Sequence, residues 1–301
     1  MALRRRTVSV GVCASALENA QSELLAALLA AQVARACAVF RADEVVVVDD
    51  VAPAGAAGFS RAAAFFARVL QYMETPQYLR RALVAHSPDL KHAGLLPPLN
   101  APHQPLASEW TPHREGVVTE VRGAQSVVDV GLQRPALVPE PLRAGARVTL
   151  KMGKRQGHAD GPFEGSLSSP DVPREREGEY WGYVVRLARG VEDMLGNCPF
   201  QGGYDYVIGT SERGEVRKAG DPWLPDFTHL LVAFGGPEGL ERVHNQSQAL
   251  RTKRPEDIYS AYINTCPAQG SRTIRTEEAI TISLGRLSDN IDRVRRSGDG
   301  Q

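Results

Sequence analysis

The 301-residue sequence has few cysteines, no net charge and no long uninterrupted apolar run, and each shortage removes a class of function. Cys13, Cys37, Cys198 and Cys266 are widely scattered without a C-x-x-C pair, and no histidine cluster stands at metal-ligand spacing. Neither a disulfide framework nor a metal site is expected, and this cysteine usage suits a reducing intracellular compartment. The most apolar stretch, Leu24 to Phe40, is alanine-rich and broken by Gln32 and Arg35, so it reads as an amphipathic helix and no membrane association is expected. Lys plus Arg equals Asp plus Glu at 35 each, which gives no whole-chain attraction to a polyanion. The absence of G-K-[ST] after a strand excludes a phosphate-cradling P-loop. Leu3-Arg4-Arg5-Arg6 ahead of Val8 to Cys13 imitates a leader, but the apolar part is short and alternating. We read it as a first strand, with an organellar address as the other reading.

What is present is an α/β pattern interrupted once. Apolar residues at 43% and charged residues at 23% indicate a folded chain, long enough for one large domain or two ordinary ones. Thr7 to Cys13 is alternating and β-branched, Ser22 to Val39 carries Leu24, Leu28 and Ala31 at helical spacing, and Glu44 to Asp50 holds four consecutive valines. Apolar strands joined through helices predict a parallel sheet covered on both faces. Phe59 to Leu83 predicts one long helix that Pro76 kinks or divides. Pro97, Pro98, Pro102, Pro105 and Pro112 mark a domain crossing. Val117 to Gly131 and Ala146 to Met152 then show short alternating strands, the signature of a small antiparallel β-barrel. Ser166 to Glu179 is expected as a return linker, after which Tyr180 to Leu187, Tyr204 to Gly209 and His229 to Phe234 resume the strand pattern, with a short helix around Val191 to Leu195. The expected domains are 1–112 with 178–301, and an insertion at 113–177.

Charge is unevenly spread. Between Arg114 and His158 eight basic residues (Arg114, Arg122, Arg134, Arg143, Arg147, Lys151, Lys154, Arg155) face four acidic ones (Glu115, Glu120, Asp129, Glu140), so that segment is net +4. Trp110 and Trp181 flank this basic segment without interleaving it. It is either an RNA-contacting surface or merely a solvated one.

Three segments have the make-up of ligand loops. Tyr204 to Ile208 runs into Gly209-Thr210-Ser211-Glu212-Arg213-Gly214, and Leu230 to Phe234 into Gly235-Gly236-Pro237-Glu238-Gly239. Glycine permits close backbone approaches, and ligands of open α/β sheets bind at strand carboxyl ends. The G-G-x-x-G spacing differs from the dinucleotide fingerprint, and tight turns are the bland alternative. The third, Asn264 to Arg275, is dense in small polar groups and arginines and precedes a helix with Ile280, Leu284, Leu287 and Ile291 on one stripe. Thr273 or Thr276 is its candidate N-cap, and Glu277 and Glu278 suit the helix dipole without any functional role.

The segments I-G-T-S-E-R-G, F-G-G-P-E-G-L and N-T-C-P-A-Q-G-S-R-T-I-R-T-E-E-A-I resemble the SPOUT-class, trefoil-knot RNA methyltransferases, in particular the archaeal and eukaryotic subfamily with an OB-type insertion. The likeness covers the α/β parts, and the insertion only in position and β character. It implies a knotted parallel sheet with helices on both faces, interrupted by a small OB-like β-barrel. It further implies S-adenosyl-L-methionine as cofactor, S-adenosyl-L-homocysteine as product, no metal, RNA (ribosomal RNA in this subfamily) as partner, and a homodimer paired through terminal helices. By position, the resemblance assigns Arg213, Gly235, Asn264 and Thr265 to the cofactor, with Thr210, Gly239 and Ser271 beside them.

Methyl transfer from a sulfonium is an in-line displacement, so the protein must hold the acceptor aligned and deprotonated. Arg272 and Arg275 are candidates to bind RNA phosphate or stabilise an anionic acceptor, and Glu238 is a candidate base. Methylation of a base nitrogen, with uridine N3 suggested by the family, competes with ribose 2′-O-methylation and with a non-catalytic, spindle-associated RNA-binding scaffold. A nuclear, nucleolar or cytoplasmic location is expected.

Overall fold

The computed structural model describes residues 6–53, 56–154, 161–218 and 220–297. Strands β1 (Thr7–Cys13) and β2 (Glu44–Val48) open the chain. Next come β3 (His113–Arg122), β4 (Gln125–Asp129), β5 (Ala136–Val138), β6 (Arg147–Met152) and β7 (Phe163–Ser168). The last strands are β8 (Val184–Ala188), β9 (Tyr206–Val216), β10 (His229–Phe234) and β11 (Ala261–Asn264). The helices are α1 (Glu23–Val39), α2 (Arg61–Glu74), α3 (Arg80–Leu83), α4 (Asp171–Glu177), α5 (Val191–Gly196), α6 (Gly239–Gln246) and α7 (Thr276–Ser297).

Six strands form one sheet in the order β11-β9-β10-β1-β2-β8, and every neighbouring pair is parallel. β1 lies in its interior and is buried over its whole length, as is the valine run of β2. A strand covered on both faces has no solvent side to alternate with, which is why that run is continuous. Ser22 caps α1, its Oγ accepting from the Leu25 N–H at 3.2 Å, and the small buried residues Ala27, Ala30, Ala31 and Ala34 make its inner face. α1 packs against α7, and Arg41 just beyond it donates to Asp292 Oδ1 at 2.6 Å. Pro76 divides the predicted long helix: α2 stops at Glu74, and a 3-10 turn at Gln77–Leu79 leads into α3.

The other five strands close into a barrel, β3-β4-β5-β7-β6, around Val118, Val128, Val130, Ala136, Val138, Leu150, Met152 and Phe163. Two details differ from expectation. The β5–β7 pair is parallel, so the barrel is not purely antiparallel. Ser166 to Glu179 is no irregular linker: it ends β7 and then forms α4, which Gly178 terminates in the left-handed region at φ 69. By its contacts the chain divides into two compact units, one holding Tyr72–Pro88 and Pro98–Gly182, the other Arg5–Gln71, Asp89–Pro97 and Tyr183–Gln301.

Much of the insertion's positive charge is spent inside the barrel unit. Arg114 is fully buried, donating from Nε to the Val130 carbonyl at 2.9 Å and from Nη1 to that of Glu109 at 2.7 Å. Arg147 donates to Glu115 at 2.7 Å and, through both Nη atoms, to Glu74 at 2.7 and 2.9 Å. Arg134 reaches the Gly161 carbonyl and covers the Phe163 ring, while Arg122 pairs with Glu120 at 2.6 Å on the surface. The flanking tryptophans are also engaged: Trp181 Nε1 donates to Glu115 Oε1 at 2.6 Å, and Trp110 packs on Phe163. Of the eight basic residues, Arg143, Lys151 and Lys154 are exposed and have no such internal role, while Arg155 lies outside the described residues.

Candidate functional site

The three loops converge at the carboxyl ends of β9, β10 and β11. The first was expected to begin where β9 ends at Gly209, yet β9 continues to Val216. Its pairing with β11 nevertheless jumps: Tyr262 faces Gly209 while the next residue, Ile263, faces Glu215. Thr210 to Gly214 therefore leave the ladder as a broad bulge inside the strand. Close packing fixes both ends of it. A Cβ on Gly209 would lie 2.7 Å from the Tyr259 ring, and one on Gly214 2.3 Å from the backbone of Ile263.

Hydrogen bonds then join the loops to one another. Thr210 Oγ1 donates to the Ala233 carbonyl at 2.8 Å, tying the bulge to β10. Asn264 Nδ2 donates to the Glu212 carbonyl at 2.8 Å while its Oδ1 accepts from the Cys266 N–H at 2.9 Å, tying the bulge to the third loop. Thr276 Oγ1 donates to the Gly235 carbonyl at 3.0 Å, tying the start of α7 to the second loop. Within that loop the Gly239 N–H closes a turn on the Gly236 carbonyl at 2.9 Å, and a Cβ on Gly235 would sit 2.1 Å from the backbone of Gly239.

Between the loops lies a cavity of about 360 Å³, within the range of small-molecule sites. Of the residues singled out in the sequence, Thr210, Arg213, Gly235, Glu238, Gly239, Asn264 and Thr265 line it. Thr265 Oγ1 is 2.7 Å from Ser283 Oγ of α7, which also lines it. Ser271, Arg272 and Arg275 are not among the lining residues. Ser271 donates to the Thr273 carbonyl at 2.6 Å, and Arg272 is exposed. Arg275 instead borders a larger groove of about 1,020 Å³ between α1 and the start of α7, lined by Leu25, Leu28, Leu29, Val39 and Ile282. Neither Thr273 nor Thr276 caps α7. Glu278 does so by reaching back to the Arg275 N–H at 2.9 Å, half of a capping box, and Thr276 turns its hydroxyl to Gly235.

The carboxylates at the cavity differ in setting. Glu238 is on the rim, 69% exposed and 3.1 Å from Arg242, which also pairs with Glu18 at 3.0 Å. Glu241, which the sequence reading did not single out, is only 31% exposed, lines the cavity, and stands 3.6 Å from Arg213 and 3.4 Å from the Tyr262 hydroxyl. Burial, with a further contribution from Glu241, pushes the Tyr262 phenol up to about 12 against the opposing hydrogen bond from Ser211, so it stays a neutral donor. Phe234, Ile274, Ala279 and Ile282 give the same cavity an apolar surface. Beneath the second loop Asp50 accepts from the Ser15 N–H at 2.9 Å and from its hydroxyl; burial outweighs those bonds and raises its carboxyl. Among the described residues no group of three or more His, Cys, Asp or Glu side chains could hold a metal ion, and no helix is long and apolar enough to cross a membrane.

A parallel α/β sheet with a polar cavity where three strand ends meet, and a β-barrel that falls between β2 and β8 in chain order, defines a ligand-binding α/β protein with an inserted small barrel. The particular family is given by comparison: the model of a family described as "Putative RNA methyltransferase" matches residues 7–287, and the chain belongs to that family of RNA methyltransferases. It is 42% identical to the human 28S rRNA (uridine-N(3))-methyltransferase over 96% of this chain and 79% of that protein. It is 41% identical to the mouse protein of the same name, over 97% and 78% of the two chains. An uncharacterized protein of Halobacterium salinarum is 31% identical over 94% and 99%.

Proposed function

We propose that this chain methylates a base nitrogen of ribosomal RNA, with N3 of a uridine as acceptor, using S-adenosyl-L-methionine and releasing S-adenosyl-L-homocysteine. The observation that carries the reading is the 42% identity to the human uridine-N3 enzyme over 96% of the chain, a span that includes all three cavity loops. The cavity suits such a cofactor: it combines apolar side chains, the hydroxyls of Thr210 and Thr265, and the opposed charges of Arg213 and Glu241. When bound, S-adenosylmethionine supplies an electrophilic methyl group on a sulfonium. The chain's part is positional. Gly235, Asn264 and Thr265 hold the nucleoside portion, with Thr210, Gly239 and Ser271 shaping the loops around it. Arg272 and Arg275, exposed on the third loop, meet the RNA and stabilise the acceptor anion, and Glu238 on the rim takes the N3 proton.

In this reading residues 1–112 and 178–301 form a knotted SPOUT domain, and 113–177 form an OB-like insertion whose exposed Arg143, Lys151 and Lys154 contact the RNA backbone. A second copy covers the apolar groove between α1 and α7, where Leu25 and Val39 are 45% and 60% exposed. The protein acts where ribosomal RNA is made or used, in the nucleus, nucleolus or cytoplasm. Mass spectrometry of ribosomal RNA nucleosides from cells lacking the protein tests the activity: 3-methyluridine is expected to disappear. Loss of a ribose methyl mark instead would establish the 2′-O rival, and no lost mark would establish a scaffold.

A further inference from the structure

We propose that Glu241 and Arg213 together recognise the amino-acid end of the cofactor, the carboxylate taking its α-ammonium and the guanidinium its α-carboxylate. The inference rests on the reading that the cavity binds S-adenosylmethionine, and it assigns the part of that molecule which no adenosine-binding loop accounts for.

Glu241 is not needed to build the loop it follows. The turn into α6 is closed by backbone, from the Gly239 N–H to the Gly236 carbonyl at 2.9 Å. An acidic residue in the first turn suits the helix dipole, but any rotamer pointing to solvent would serve that purpose. Here the carboxylate is turned into the cavity and held there. Its Oε1 accepts from the Tyr262 hydroxyl at 3.4 Å, and the Tyr262 ring is stacked on Tyr259 with centroids 5.8 Å apart. Gly239 keeps the space clear: its φ is 72, and a Cβ there would lie 2.3 Å from Glu241 Oε2 and push the carboxylate aside.

The partner charge is in place but loosely engaged. Arg213 is 74% exposed and its Nη1 stands 3.6 Å from Glu241 Oε1, beyond a good charged hydrogen bond. Such an exposed pair contributes little to stability, so it is not a brace that binding would have to destroy. It presents one cation and one anion side by side, the complement of a zwitterionic α-amino acid. The remaining lining acids have other surroundings: Glu238 is paired with Arg242, and Glu212 is exposed.

Titration calorimetry with three ligands tests the assignment, comparing the wild type with Glu241→Gln, which keeps the hydrogen bond to Tyr262 and removes the charge. The ligands are S-adenosylmethionine, S-adenosylhomocysteine and 5′-methylthioadenosine, the last being the nucleoside without its amino acid. The variant is expected to weaken the first two by about tenfold or more, the equivalent of one hydrogen bond to a charged group, and to bind methylthioadenosine within about twofold of wild type. Equal weakening of all three, or unchanged affinity for S-adenosylmethionine, would overturn the assignment. A wild-type protein that binds none of the three would overturn the cofactor reading itself, and this inference with it.

Discussion

The replacement Arg147→Met tests whether the barrel's positive charge serves structure or RNA. Glu74 and Glu115 are both buried, and Arg147 is hydrogen-bonded to each of them. Burial raises the Glu74 carboxyl, but hydrogen bonds and charge from Arg147, assisted by His103, overcome it and hold the group at about 2 against an ordinary 4.5. At about 1.4 kcal/mol for each tenfold, that displacement corresponds to about 3 kcal/mol of stability. Because the folded value is depressed, the contribution is complete above pH 4.5 and is lost as the pH falls from 4.5 toward 2. Removing the guanidinium leaves buried Glu115 without its cation and Glu74 with His103 alone, at a cost of about 3–5 kcal/mol. It also removes the stronger of the two partners that hold the Glu74 carboxyl down against burial, leaving His103. Urea unfolding from pH 7 down to pH 3 should show the wild type losing stability below pH 4.5 while Arg147→Met starts lower and loses less. Arg147→Met should bind RNA with an unchanged salt dependence, whereas each phosphate contact removed in Lys151→Glu/Lys154→Glu lowers the log–log slope by about 0.9. A variant within about 1 kcal/mol of wild type, with the same acid profile, would refute the structural reading of Arg147.

Two further outcomes follow from the cavity and the groove. Gly235→Ala forces a Cβ to within 2.1 Å of the Gly239 backbone; it should cost about 1–3 kcal/mol in unfolding free energy and weaken S-adenosylmethionine binding by calorimetry, because the second loop must move. Val39→Glu sets a charge in the α1–α7 groove and should convert the proposed dimer to a monomer in light scattering while leaving the thermal transition of the fold in place.

The parts of the fold that were legible in the sequence are those whose signal is local. The valine run of β2, the alternation of β1, the helical spacing of α1 and the break at Pro76 each depend on a few neighbouring residues. The α4 helix was missed because its mixed charges read as solvated loop, although Pro170 ahead of it and Gly178 behind it are ordinary start and stop signals. The bulge at Thr210–Gly214 was read as the end of a strand. Its glycines were correctly taken as points of close approach, but what they approach, the rings of Tyr259 and Tyr262 and the backbone of Ile263, lies about fifty residues away. Charge was the least legible property. A net +4 counts side chains without their partners, and Arg147 finds Glu74 at a separation of 73 residues.

The same limit explains the two acids of the second loop. Glu238 and Glu241 are three residues apart at the start of α6, and only Glu238 was singled out as a candidate base from the sequence. What separates them is tertiary. Arg242, anchored on Glu18 of the segment after β1, holds Glu238 on the rim, while Tyr262 of β11 and the bare Gly239 turn Glu241 inward. A proton leaving a uracil nitrogen calls for an accessible base at the mouth of the site; a charged amino-acid tail calls for a fixed carboxylate inside it. On the proposed reading, two glutamates of one helical turn serve opposite ends of one reaction, and Glu238→Gln should lower turnover while sparing cofactor affinity, the converse of the split expected for Glu241→Gln.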